Sequence, residues 1–284
     1  MYLIIKSKSS LVTLAIIFFC VNISCSSDLL SLYASDQERW LAVLTSSELS
    51  GRKTGTEGCR NASEYIIEEL EKMGYCPKIE VFSFRDSIVM RNIIVEIPGE
   101  NDSTLIIGAH YDGAVNSSKY QAANDNASGV IALLSIAKCI QPVHDNVLLC
   151  FWDGEETTDG TSFNGSSYFV EHLDDEKLDY IKWYCNIDCC GRQSDSTYLY
   201  YSYDLEQMFA DVTVGNDEYL HLIKKVQNNT GSDYVSFKAM GIPFWGWNDL
   251  DVLRYIHSCN DSVEFISLIK IKAISSITIS IING

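Results

Sequence analysis

Basic residues are scarce in this 284-residue chain: 21 Lys and Arg stand against 38 Asp and Glu, giving a net charge of −17 and a pI near 4.6. Nucleic acid and anionic membrane surfaces need the opposite balance, so neither is an expected partner. Only 4 prolines occur, and no Pro-rich linker marks a domain boundary. The chain has no internal repeat, no low-complexity tract and no CxxC pair, which leaves a thiolate zinc site without support. Past the N-terminal segment, no apolar stretch is long enough to span a bilayer.

The N-terminal segment differs from the rest. Lys6 and Lys8 precede an apolar run from Leu11 to Val21, followed by Asn22-Ile-Ser-Cys-Ser-Ser. A basic start, a short apolar run and small residues after it form the pattern of a secretory signal peptide. Residues 1–25 are therefore read as a cleaved signal, and a secreted or periplasmic location is expected. An uncleaved anchor is the alternative; Asn22 argues against lipid attachment at Cys25. An even set of cysteines, Cys59, Cys76, Cys139, Cys150, Cys185, Cys189, Cys190 and Cys259, follows the signal. Export permits disulfides, but Cys139, Cys150 and Cys185 lie in apolar helix or strand patterns, where buried free thiols are commoner.

What is present is ordinary for a globular α/β chain: 46% hydrophobic and 21% charged residues. Helical spacing of apolar residues predicts helices over 35–45 and 61–73, the second ended by Gly74. Strands are predicted over 79–84, 88–97 and 104–109. Then helices (127–140, 166–173, 217–228) alternate with strands (147–152, 183–188, 242–247), and a final helix follows His257. This order predicts a three-layer αβα fold around a mixed, mostly parallel central sheet, with an antiparallel pair at one edge. In such sheets ligands bind outside the carboxyl ends of the strands.

Five segments near those ends present metal-ligand side chains: His110, Asp125, Glu155-Glu156, Asp188 and His257. Each alone has a plainer reading as a strand-end turn, a helix N-cap or a solvated acidic loop. Together they supply two imidazoles and three carboxylates for metal, and leave Glu155 over. That set can hold two divalent cations beside a free base. Asp125 has two oxygens with which to bridge. Asp153, Glu155 and Glu156 bunch at one strand end and repel unless a cation sits among them. The adjacent glutamates suggest divided labour: Glu156 would coordinate metal, while Glu155 would take a proton from water and pass it to the leaving amine. Asp112 stands two places after His110, on the same side of an extended chain, where it can accept from the second imidazole nitrogen. Mixed imidazole and carboxylate donors favour Zn2+, with Co2+ or Mn2+ as substitutes. Phe244, Trp245 and Trp247 are either pocket wall or core.

The segments His110-Tyr-Asp, Ala123-Asn-Asp-Asn-Ala-Ser-Gly, Gly154-Glu-Glu, Asn186-Ile-Asp and Ile256-His-Ser resemble, in order, the metal-site motifs of the secreted co-catalytic zinc aminopeptidases. Bacterial leucyl aminopeptidase and aminopeptidase Y are of that type. The stretch from Leu44 to Gly58 looks like the same family's N-terminal signature, and Ser232-Asp-Tyr-Val-Ser-Phe with Gly241-Ile-Pro243 looks like its late loop-strand unit. The resemblance implies a zinc-exopeptidase (phosphorylase/hydrolase-like) fold, with residues 26–284 as a single zinc peptidase catalytic domain. It implies two Zn2+, one on His110 and Asp188, the other on Glu156 and His257, with Asp125 bridging. Glu155 would be the general base and Asp112 the residue orienting His110. It further implies a cis peptide after the bridging aspartate and peptide substrates with a free N-terminus; a monomer is expected.

Three departures from the family pattern stand out. Asn124 replaces a commoner acidic residue, Tyr234 replaces a frequent His, and the connection after Glu156, residues 157–164, is longer than usual. No inserted protease-associated domain is present. Glutaminyl cyclases share the fold, the Asp153-Gly-Glu-Glu segment and a longer loop, but bind a single zinc and cyclise N-terminal glutamine. They are the alternative reading, against which stand the Asn-Asp-Asn-Ala-Ser-Gly turn and the Asn186-Ile-Asp strand end. A metal-dead binding domain would have lost a ligand or Glu155, and this chain keeps all of them.

Overall fold

The computed structural model describes residues 34–84, 87–140, 143–156, 160–193, 196–210, 221–226, 231–249 and 252–283. The expected signal, residues 1–25, lies outside them. Eight strands form one sheet: β1 (Lys78–Phe84), β2 (Ile88–Ile97), β3 (Thr104–His110), β4 (Asn146–Trp152), β5 (Ile181–Ile187), β6 (Ser196–Tyr201), β7 (His221–Val226) and β8 (Phe244–Asp249). Their order is β1-β2-β4-β3-β5-β8-β6-β7. The central strands β4, β3, β5 and β8 are parallel. β1 pairs antiparallel with β2, as expected of the hairpin, and antiparallel pairs β2–β4 and β6–β8 flank the parallel centre.

Period-two alternation sends side chains of one strand into two separate cores. Leu105, Ile107 and Ala109 of β3 pack into one cluster, and Ile106 between them into the other. The larger core is covered by α1 (Ala34–Leu44), α2 (Glu57–Lys72), α3 (Ser128–Cys139) and α8 (Leu268–Ile282). The opposite core is covered by α4 (Asn164–Glu171) and α7 (Tyr234–Ala239), through Phe169, Val170 and Phe237. The remaining helices, α5 (Asp175–Tyr180) and α6 (Glu206–Ala210), are short. Two covered faces give the expected three layers, and explain why β3 and β4 read as nearly continuous apolar runs.

Helix α2 begins a turn earlier than its apolar spacing suggests. Thr56 caps it by accepting the Cys59 N–H at 3.4 Å, and Gly74, at φ +93°, turns the chain out at the other end. One expectation is overturned. Residues 221–226 lie within the helix predicted over 217–228, yet they form β7, paired in parallel register with β6 from Ser196↔His221 to Tyr201↔Val226. The rest of that stretch lies outside the described residues, apart from this strand. The unpaired N–H and C=O groups along β6 offer a ladder, and tertiary pairing of that kind overrides a helical spacing of side chains. Phe244, Trp245 and Trp247 are all core residues: Trp247 donates to Thr278 Oγ1 at 3.0 Å, and Trp245 packs edge-on against Trp183.

Every one of the cysteines at 59, 76, 139, 150, 185, 189, 190 and 259 is a free thiol. Among the described residues, no helix is long and apolar enough to cross a membrane.

Candidate metal centre

The parallel centre of the sheet brings the candidate ligands to one rim. His110 is the last residue of β3, opposite Trp152 at the end of β4, so the chain leaving β4 delivers Glu155 and Glu156 beside it. Asp188 follows β5, the next strand over. Asp125 comes from the turn Ala123–Ala127 that feeds α3, and His257 from the loop after β8.

Asp125 stands between the two histidines. Its Oδ1 is 3.4 Å from His110 Nε2, and its Oδ2 is 3.2 Å from His257 Nε2. His110 Nε2 is also 3.3 Å from Asp188 Oδ1, and His257 Nε2 is 3.0 Å from Glu156 Oε1. Donor atoms of Asp125, Glu156 and His257 gather within 4.8 Å of one another, as do those of His110, Glu155 and Asp188. Glu155 Oε2 lies farther from the imidazole, at 3.9 Å.

Electrostatics mark this as a place for cations. Burial raises Glu156 to about 8, with Asp125 adding to the rise and His257 opposing it. Burial likewise pushes Glu155 well above the carboxylate range, against the pull of His110. Burial disfavours a charged His110, yet Glu155, Asp112, Asp125 and Asp188 hold it well above its ordinary value. The partly exposed His257 rises to about 10 through Asp125 and Glu156. Burial also opposes the Asp125 charge, but the two histidines prevail and lower its pKa. So many carboxylates and imidazoles are compatible at this spacing when divalent charge balances them. Oxygen and nitrogen donors of this kind suit zinc.

The turn carrying Asp125 is fixed from several sides. The Asp125–Asn126 peptide is cis, as the resemblance implied. Asp261 accepts the N–H groups of Asn124 and Asp125 at 2.7 and 3.0 Å. Asn126 donates to Ile187 O at 2.9 Å and accepts from Gly129 N and Cys189 N at 2.9 and 3.2 Å. Asn124 accepts from Gly191 N at 2.7 Å and donates to the Tyr255 hydroxyl at 3.0 Å. Both asparagines thus tie the turn to its surroundings, a role not legible when the segment is read as capping residues.

Asp112 sits behind the centre. Its Oδ1 is 3.5 Å from His110 Nδ1, within ion-pair range but with no hydrogen bond closed. Its hydrogen bonds come from the N–H groups of Glu155 and Glu156, at 3.1 Å each, and from Thr54 Oγ1 at 3.0 Å. Asp153 does not share the site as expected from the bunching of three carboxylates. It turns away, accepting Arg91 N at 3.0 Å and lying 2.9 Å from Thr54 Oγ1 and 3.1 Å from the Tyr111 hydroxyl. Gly154, at φ +75°, makes that reversal possible. Ser232, missed as an individual residue, donates to Asp188 Oδ2 at 2.8 Å.

Asp125, Glu155, Glu156, Asp188 and His257 open onto a cavity of about 190 Å³ with an apolar wall of Phe163, Val252, Leu253 and Ile256. Phe163 ends the long connection after Glu156, of which residues 157–159 lie outside the described ones. Its ring packs over Gly231, where an added Cβ would come within 2.9 Å.

Clustered imidazole and carboxylate donors at the carboxyl ends of parallel strands define an α/β protein with a site that could hold metal ions. Residues 92–282 match Peptidase family M28, and the chain belongs to that family. Leucine aminopeptidase 2 of Arthroderma otae is 26% identical over 215 residues, covering 70% of this chain and 41% of the relative. The chain thus spans about two fifths of that relative's length. The fold is similar to an aminopeptidase from Aneurinibacillus sp. strain AM-1, with a TM-score of 0.73, 14% identity, and coverage of 90% of this chain and 95% of the other. It is similar also to Porphyromonas gingivalis glutaminyl cyclase, with a TM-score of 0.69, 18% identity and coverage of 90% and 97%.

Proposed function

We propose that the protein is an exported zinc aminopeptidase, with residues 26–284 as its catalytic domain, that hydrolyses the N-terminal peptide bond of peptides. The observation that carries this reading is the position of Asp125, one oxygen toward each histidine. That is the placement a bridging carboxylate needs between two cations. His110 and Asp188 would hold one zinc, Glu156 and His257 the other, with Asp125 shared. When bound, the pair supplies Lewis acidity and lowers the pKa of water at the site.

The side chains do the rest. Glu155, held at the cavity by the bond from its N–H to Asp112, accepts the proton of the attacking water and returns it to the leaving amine. Carboxyl groups on the cavity wall, Glu155 and Asp188 among them, can accept hydrogen bonds from the α-amine of a free N-terminus. The apolar wall from Phe163 to Ile256 receives the side chain of the first residue. Family membership and the leucine aminopeptidases among the relatives support this reading.

The test is release of the first residue from a panel of aminoacyl anilides by the zinc-loaded protein. Glu155→Ala is expected to lower kcat by about 10²- to 10⁴-fold, the usual contribution of general acid–base catalysis, while still binding zinc. No release by the wild type, or equal release by Glu155→Ala, would refute the proposal. Cyclisation of a glutaminyl peptide with one bound zinc would establish the cyclase reading instead.

A further inference from the structure

Behind the centre a single hydroxyl lies between two buried carboxyl groups. Thr54 Oγ1 is 3.0 Å from Asp112 Oδ2 and 2.9 Å from Asp153 Oδ1, and all three residues are buried. A threonine hydroxyl carries one hydrogen. It lies within donating distance of both carboxyl groups and can be shared between them.

The other partners of the two carboxyl groups differ. Asp112 already accepts an N–H on each oxygen, from Glu155 and Glu156, and its Oδ1 faces His110. Asp153 accepts from Arg91 N, Tyr111 Oη and Cys59 Sγ. Thr54 thus supplies Asp112 with a hydroxyl donor at 3.0 Å, while Asp153 has three other donors around it.

We propose that Thr54 is a positioning residue of the metal centre, whose hydroxyl hydrogen fixes the Asp112 carboxylate that in turn accepts the N–H groups of Glu155 and Glu156 and faces His110. Thr54 precedes residues 92–282, the part that matches the family, so this chain's N-terminal segment completes the centre from behind. The inference rests on the roles proposed above for those residues.

The experiment compares wild type, Thr54→Val and Thr54→Ser in the full chain. Co2+ affinity is measured by competition with a chromophoric chelator, alongside kcat and KM on an aminoacyl anilide. Valine keeps the volume and loses the hydroxyl; it is expected to weaken Co2+ binding and to lower kcat by about 10- to 100-fold each, the range for partners of metal ligands, with little change in KM. Serine restores the hydroxyl and is expected to restore both. Wild-type Co2+ affinity in Thr54→Val would overturn the proposal. So would a Thr54→Ser as impaired as Thr54→Val, because packing of the methyl group would then be the cause. If valine does not fold at this position, Thr54→Ala replaces it with the same expected losses. A wild type that binds Co2+ without releasing an N-terminal residue refutes the aminopeptidase reading alone, and Co2+ affinity then decides the role of Thr54.

Discussion

Arg52 shows how one side chain can organise a site it never touches. It is fully buried, and its guanidinium donates to four carbonyls, those of Leu44, Tyr111, Gln121 and Ala122. The segments after β3 and before the Asp125 turn are thereby clamped together. Burial lowers its pKa, with Tyr120 and Asp261 opposing the shift. A lysine has neither the fork geometry nor the reach to serve these acceptors. Arg52→Lys is expected to cost on the order of 3 kcal/mol, since buried acceptors would lose their donors, measured by urea unfolding of the metal-free protein. Unchanged stability would count against the clamp. Arg52 belongs to the Leu44–Gly58 stretch that was recognisable in the sequence, but its task was not. Carbonyl partners are supplied by every residue type and leave no mark in the sequence. The same holds for Asp153, whose direction depends on the φ of Gly154 rather than on its neighbours in the chain.

Elements were legible where side-chain period decides and illegible where a partner decides. The apolar spacing of 61–73 announced a helix, yet Glu69, on the buried side of α2, gave no hint that it joins α2 to α1. It accepts both guanidinium nitrogens of Arg39 at 2.7 Å, Trp40 Nε1 at 2.7 Å and Lys72 Nζ at 2.8 Å. Burial opposes its charge, but these donors lower its pKa from 4.5 to about 2. A carboxylate whose folded pKa lies below the unfolded value stabilises fully above the unfolded value, and this support fades as pH falls through the folded one. Glu69→Gln is therefore expected to be less stable than wild type at pH 7 by about 1–3 kcal/mol, the worth of hydrogen bonds to a charged group. The difference should shrink between pH 4.5 and about 2. A gap that stays constant across that window would show that shape, not charge, makes the joint. β7 failed for the complementary reason: its apolar residues fit a helix, and only the open edge of β6 makes them a strand.

On the scale of the whole molecule, the architecture and the centre were readable because side-chain chemistry repeats at the strand ends. Alternating helices and strands gave the layers, and five segments from His110 to His257 gave the donors. What joins those donors was not readable. Asp261 holds the Asp125 turn across 136 residues, and Thr54 reaches Asp153 across 99, distances over which no local pattern speaks. The centre is therefore a product of the completed fold.

The two histidines of the centre differ in one respect that bears on how long a metal ion stays. The His110 side chain is 1% exposed, whereas that of His257 is 49% exposed. In the proposed arrangement, the ion on His257 and Glu156 has an exposed imidazole that can swing away into solvent, while the imidazole of the one on His110 and Asp188 is buried and cannot. Release into excess chelator should then follow two exponentials, the faster belonging to the outer ion. His257→Ala should erase the fast phase and leave the slow one. A single phase indifferent to that substitution would mean that the two ions leave together. With two phases, the protein would carry a half-loaded state with a lifetime of its own, set by the burial of one imidazole.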